Sequence, residues 1–208
     1  LMADCHLYAL EVLKGVEKLN TDGADIFTVD NFLTKEESEH LISVIKSSSR
    51  PSETTNDEGE YANYRTSETC DLSLMKDEII KNVDNRISSL LGINGMHGEG
   101  MQGQWYKIGQ EFKRHTDFFG PDVLEEYQGN EVGNRTWTFM ICLNDVEEGG
   151  HTHFHEYDLS IPPVQGKAIF WNNLTGDEIG NHNTMHSGLP VEKGEKFIIT
   201  KWFRQGQY

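Results

Sequence analysis

At 208 residues with an apolar share of 36%, the chain has enough hydrophobic surface for one packed domain, which excludes a disordered or fibrous protein. Its 34 acidic residues outweigh 18 basic ones, and the formal net charge of -16 argues against nucleic acid or an anionic membrane as partner. Cys5, Cys70 and Cys142 are odd in number and far apart, so neither a disulfide framework nor a CxxC zinc site is expected.

The first residues lack a basic stretch followed by a long apolar run, and no later segment is apolar for long enough to cross a bilayer. The expectation is a soluble, cytoplasmic protein of one domain over residues 1–208, with residues 1–25 as a helical extension. Leu7, Leu10, Leu13 and Val16 recur at near-helical spacing before Asn20 to Gly23 breaks the pattern, which predicts a leading helix. A short strand, IFTVDNF, follows. Thr34 and Glu37 then stand three apart at the head of TKEESEHLISVI, the arrangement of a capping box opening a second helix.

Residues 47–64 are rich in serine, asparagine and acid and read as an exposed loop. A third helix is predicted within 74–91, where Ile79, Ile80, Val83, Ile87, Leu90 and Leu91 form one stripe and Gly92 supplies a left-handed stop. Beyond Gly103 the period changes to two. GQWYKI, EFKRHTDF, RTWTFMICL, THFHEY, AIFWNN and KFIITKWF are strand candidates separated by turn formers. Helices first and short antiparallel strands after predict an α+β domain, a sandwich or jelly roll with helices on one outer face.

Within EFKRHTDF, His115 and Asp117 would share one face of a strand about 6.6 Å apart, a spacing that permits chelation of one ion. A second histidine comes from NTMHSGLPVEKGEKFIITKWFR. There His186 precedes Lys196 by ten residues, with the turn formers Pro190 and Gly194 between them. Lys196 would begin a strand on whose face Ile198, Thr200, Trp202 and Arg204 follow, while Phe197, Ile199 and Phe203 pack on the other side. A lysine there requires an anion, such as a small dicarboxylate cosubstrate, or else a structural carboxylate. Two histidines and one carboxylate leave three octahedral positions free, the donor set of non-haem Fe(II) oxygenases.

An ordered series of motifs goes further: VDNFLTKEES, YRTSET, WYKIGQEFKRHTD, NRTWTFMICLNDVEEGGHTHF, PVQGKAIFWNN and HSGLPVEKGEKFIITKWFR. From about Ile26 to Arg204 the sequence resembles the collagen-type prolyl 4-hydroxylases of the 2-oxoglutarate- and Fe(II)-dependent dioxygenases. The resemblance implies a double-stranded β-helix with helices on its larger sheet, and hydroxylation of prolyl residues in a peptide or protein. It implies Fe(II), 2-oxoglutarate and O2, with ascorbate as reductant. By position it makes His115, Asp117 and His186 the iron ligands and Lys196 the partner of the distal 2-oxoglutarate carboxylate. Tyr106 and Thr152 fall at positions that help hold the cosubstrate, and Arg135, Trp202 and Arg204 at positions near the peptide. The acidic stretch between Asp117 and Arg135 occupies the place of a lid.

Two rival ligand sets are present. His151, His153 and His155 alternate along HTHFH, but the family pattern turns Thr152 inward and leaves the histidines outside. His182 precedes His186 by four, yet only His186 has the ten-residue interval to lysine. Trp105, Trp137 and Trp171 are expected in the core. Two other functions stay open on the sequence: the same chemistry on a free amino acid or small molecule, and a non-catalytic jelly-roll binding module, metal-free or zinc-bound.

Overall fold

The computed structural model describes residues 13, 15–53, 64–126 and 132–208. Among the described residues three antiparallel sheets are present. The larger has eight strands in the order β1 (Val16–Lys18), β2 (Ile26–Val29), β11 (Ala168–Asn172), β7 (Arg135–Cys142), β14 (Lys196–Arg204), β5 (Gln102–Tyr106), β4 (Glu68–Asp71), β3 (Arg50–Pro51). The smaller runs β10 (Leu159–Ile161), β9 (Thr152–Phe154), β12 (His186–Gly188), β6 (Phe112–His115), and β13 (Val191–Lys193) pairs with β8 (Glu148–Gly149).

Alternation along the central strands builds two cores from one sheet. Phe197, Ile199 and Phe203 of β14, with Trp137, Phe139 and Ile141 of β7 and Phe170 of β11, face helices α1 (Lys35–Ser48) and α2 (Glu78–Leu91). They meet Leu41 and Ile45 of α1 and Ile80, Val83, Ile87 and Leu91 of α2. The intervening residues Ile198, Met140, Ile169 and Trp171 face the smaller sheet, where Phe154 meets Trp171 edge-on at 5.2 Å. This is the jelly-roll sandwich expected from the residue periods, with helices on the larger sheet.

Both helix boundaries follow their caps. Thr34 Oγ1 accepts from the Glu37 amide while Glu37 Oε2 accepts from the Thr34 amide, and Gly92 ends α2 at φ 66°. Asp77 caps α2, so the helix begins at Glu78 rather than at Leu74. The predicted leading helix lies mostly outside the described residues, but its last position, Val16, begins strand β1 against Val29 instead. In the stretch expected as a loop, Arg50 and Pro51 pair with Thr69 and Glu68, and residues 54–63 lie outside the described residues. THFHEY is strand only to Phe154. A 3-10 turn over His155–Tyr157 follows, closed by left-handed Asp158 at φ 46°. Between Asp117 and Arg135 a short helix, α3 (Pro121–Glu126), forms.

Candidate active site

The mouth of the sandwich gathers three side chains. His115 ends β6 and His186 opens β12, and the β6–β12 ladder sets them opposite each other with ring centroids 4.3 Å apart. Asp117 lies in a bend just beyond β6 rather than on the strand. Its Oδ1 stands 3.4 Å from His115 Nε2 and 3.8 Å from His186 Nε2. The three ligand atoms all fall within 4.8 Å of one another, and no other such group of three occurs among the described residues.

Their surroundings prepare them to bind a cation. His115 Nδ1 lies 2.6 Å from the Lys113 carbonyl and His186 Nδ1 lies 2.9 Å from the Thr184 carbonyl. A carbonyl only accepts, so both Nδ1 atoms carry the proton and both Nε2 lone pairs point inward. Burial, reinforced by the nearby charge of His115 and opposed by Asp117, lowers the His186 pKa to about 4. Burial alone would raise Asp117, but His186, His115 and Arg135 together hold its carboxyl well below the usual carboxylate range. Two imidazole Nε2 atoms and one carboxylate oxygen converging on one point suit Fe(II).

Behind the triad opens a cleft of about 440 Å³, counted to its mouth, which Tyr106, Thr152, Lys196 and Trp202 help to line. Lys196 is 2% exposed, and burial lowers its ammonium from the ordinary value. Among the described residues no carboxylate pairs with it. Tyr106 is its register partner on β5, with the ammonium 5.5 Å from the ring centroid.

A profile of the 2OG-Fe(II) oxygenase superfamily matches residues 101–204, a span that includes the triad and Lys196. A probable prolyl 4-hydroxylase 3 from Arabidopsis thaliana is 33% identical, over 88% of this chain and 70% of its own length. The chain belongs to the prolyl 4-hydroxylase family of 2OG-Fe(II) oxygenases. It is 33% identical to the alpha-1 subunit of rat prolyl 4-hydroxylase over 69% of its own length and 27% of that subunit. In three dimensions it is similar to the viral collagen prolyl hydroxylase of Paramecium Bursaria Chlorella virus-1, solved with 2OG. The TM-score is 0.68 at 27% identity, covering 89% of this chain and 99% of the viral one. A member of this family is a 2-oxoglutarate-dependent dioxygenase.

The other candidate residues of this prolyl 4-hydroxylase family member differ in how near they lie to the cleft. Trp202 borders the cleft and donates its indole N–H to Asp117 Oδ2 at 3.0 Å. Arg135 and Arg204 do not line the cleft. Arg135 grips Glu99 through two 2.7 Å bonds and stacks over the Trp202 ring at 4.0 Å. Arg204 holds Glu99 at 3.3 Å and the Gly133 carbonyl. His153 and His155 bond to Ser160 and Ser187 on the outer side of β9 and β12, and His182 stacks edge-on against Phe118. Trp105 and Trp137 are in the helix-side core, whereas Trp171 reaches the cleft and packs against the His186 ring at 4.7 Å.

Sequence reading missed Thr138, whose hydroxyl donates to Asp117 Oδ2 at 2.7 Å; Arg65, in the motif YRTSET, matches a family position but reads equally as a structural arginine, and it borders the cleft over the Phe112 ring. Alternation along β7 turns Thr138 away from the Phe139 face, but a threonine in RTWTFMIC carries no further signal in the sequence. Its partner Asp117 is assigned only by the bend after β6.

Proposed function

We propose that the protein hydroxylates prolyl residues, at the 4-position, in a peptide or protein chain, with one catalytic domain spanning the whole sequence. Fe(II) would be held by His115 Nε2, His186 Nε2 and Asp117 Oδ1. The observation that carries this reading is the Lys196 ammonium, nearly sealed beside the triad with no carboxylate of the described chain to meet it. A buried cation without an anion is costly, so the site is built for an anion from solution. 2-Oxoglutarate supplies one at one end and a chelating 2-oxo acid at the other, which joins Lys196 to the metal through a single molecule.

When bound, the iron supplies O2 activation coupled to oxidative decarboxylation of 2-oxoglutarate to succinate. The chain's own residues do the rest. Lys196 pairs with the distal carboxylate. Tyr106, beside it on β5, and Thr152, from the opposing sheet, flank the cosubstrate with hydroxyl groups. Met140, Ile198 and Trp171 give the cleft apolar walls that exclude water during the reaction.

Beside Asp117 in the cleft lining, Trp202 offers an aromatic wall for a proline ring. Arg135, held by Glu99, backs that wall, and Arg204 shares the same carboxylate. Ascorbate would serve as reductant. The free, buried thiols Cys70 and Cys142 support a reducing, cytoplasmic setting.

The experiment is mass spectrometry of proline-containing peptides after incubation with the protein, Fe(II), 2-oxoglutarate and ascorbate. A gain of one oxygen on proline, matched by succinate, is expected. Oxygen gained only by free amino acids, or by none of the peptides, would remove the peptidyl substrate.

A further inference from the structure

Asp117 is gripped from behind by a chain of hydrogen bonds whose direction has no freedom. It begins at Trp171 on β11, whose indole N–H donates to Asn173 Oδ1 at 2.9 Å. An indole nitrogen can only donate, so the Asn173 amide must present its oxygen to Trp171 and its NH2 elsewhere. That NH2 donates to Thr138 Oγ1 on β7 at 2.8 Å. A threonine hydroxyl has one hydrogen, and with Oγ1 already accepting from Asn173 that hydrogen goes to its other neighbour, Asp117 Oδ2 at 2.7 Å. Trp202, a second pure donor, delivers another N–H to the same oxygen at 3.0 Å.

Asn173 is fully buried, Thr138 and Trp171 are each 1% exposed, and Asp117 is 6% exposed, so water cannot substitute for a missing partner. Two donors on Oδ2 leave no place there for a proton or a metal. Oδ1 alone faces the imidazoles, at 3.4 Å and 3.8 Å.

We infer that Trp171, Asn173 and Thr138 form a one-way relay that positions Asp117. Together with Trp202 it fixes the carboxylate as a single-oxygen ligand and keeps its Oδ1 open for the cation. The inference rests on the reading of Asp117 as a metal ligand. None of the three relay residues needs to touch metal or substrate through its polar atoms, so they are positioning residues acting through Asp117. Their role is to set metal affinity: outer partners that orient a ligand are typically worth 10- to 100-fold in binding. The Asp117 side chain is drawn back toward β7 and β14 rather than lying along the strand face beside His115.

The test is titration of the purified, metal-stripped full chain with Co(II), read by visible absorption, which reports affinity without turnover. Wild type binding one equivalent, lost in Asp117→Ala, checks the ligand reading by itself, and failure there sinks that reading rather than the relay. Given that result, Thr138→Val, which keeps the shape and removes the hydrogen, should weaken Co(II) binding about tenfold. Thr138→Ser, which restores the hydroxyl, should restore the affinity, a rescue that a loss of packing alone would not show. Wild-type affinity in Thr138→Val, or a serine variant as weak as the valine one, overturns the inference. Trp171→Phe keeps an aromatic ring and removes the N–H at the head of the relay together with part of the indole's volume, which guards against a valine variant that does not fold. It should stay folded by circular dichroism yet bind Co(II) more weakly, and unchanged affinity in it also overturns the relay.

Discussion

His115 and His186 are directly opposed across the β6–β12 ladder, and that pairing places both Nε2 atoms against one oxygen of Asp117. The sheet, not the ligands, holds them there: each ring is fixed through Nδ1 to a carbonyl two residues earlier in its own chain segment. His115→Ala or Asp117→Ala should therefore lose bound iron and turnover while the fold persists. Iron content and 2-oxoglutarate decarboxylation are the measurements, with circular dichroism as control. Normal decarboxylation by either variant would refute the ligand assignment.

Much of this was legible in the sequence because it depends on local period and spacing. The capping box at Thr34, the stop at Gly92 and the split of β14 into a Phe197–Phe203 face and a Lys196–Trp202 face follow from residue order alone. Strands β4, β10, β12 and β13 were not evident. Each is three or four residues long; β4, β12 and β13 are held by partners distant in the chain, and β10 by a short hairpin with β9, rather than by a pattern of their own. The same cause hid Thr138 and Asn173, whose meaning comes from contacts between β7, the end of β11 and the bend at Asp117. Arg135 and Arg204 were legible as a basic pair beside the site. The sequence could not show that Glu99 engages both.

Lys196 ties function to a cost in stability. Lys196→Met keeps the volume and removes the cation. The 2-oxoglutarate Kd should rise roughly 10- to 150-fold, the value of one charge-assisted contact of about 1.5 to 3 kcal/mol. The ligand-free protein should at the same time melt higher than wild type, because a buried ammonium without an anion is gone. Calorimetric binding and thermal unfolding check the two halves, and an unchanged Kd would take Lys196 out of cosubstrate recognition.

Gly103 lets α1 sit directly on β5. A Cβ at that position would lie 2.5 Å from Ile45 Cγ1 and 2.6 Å from Cδ1. Gly103→Ala should cost about 1 to 3 kcal/mol through overpacking. Because the clash is with one side chain, Ile45→Ala, which removes both Cγ1 and Cδ1, should cost less in the Gly103→Ala background than in wild type, so the pair should be non-additive in a double-mutant cycle. Additive losses, measured by chemical denaturation, would show that the strain is not between these two residues.

Glu99 gives the fold an acid-sensitive element near the site. Burial opposes its charge, but two bonds from Arg135 and one from Arg204 overcome that and hold its carboxyl below the ordinary 4.5. The unfolded chain then takes up this proton more readily than the folded one, so acid favours unfolding. The contribution is fully present above about pH 4.5 and is lost as pH falls through the depressed folded value. Glu99→Gln leaves the buried Arg204 and the half-buried Arg135 guanidiniums facing a neutral amide and should destabilise the protein by about 3 kcal/mol at neutral pH. The gap between wild type and variant should narrow steadily below about pH 4.5, because the wild type alone loses this pairing. Urea denaturation of both proteins at neutral and acidic pH measures the gap, and one that stays constant or widens in acid would mean that the Glu99 carboxylate is not stabilised by its arginines.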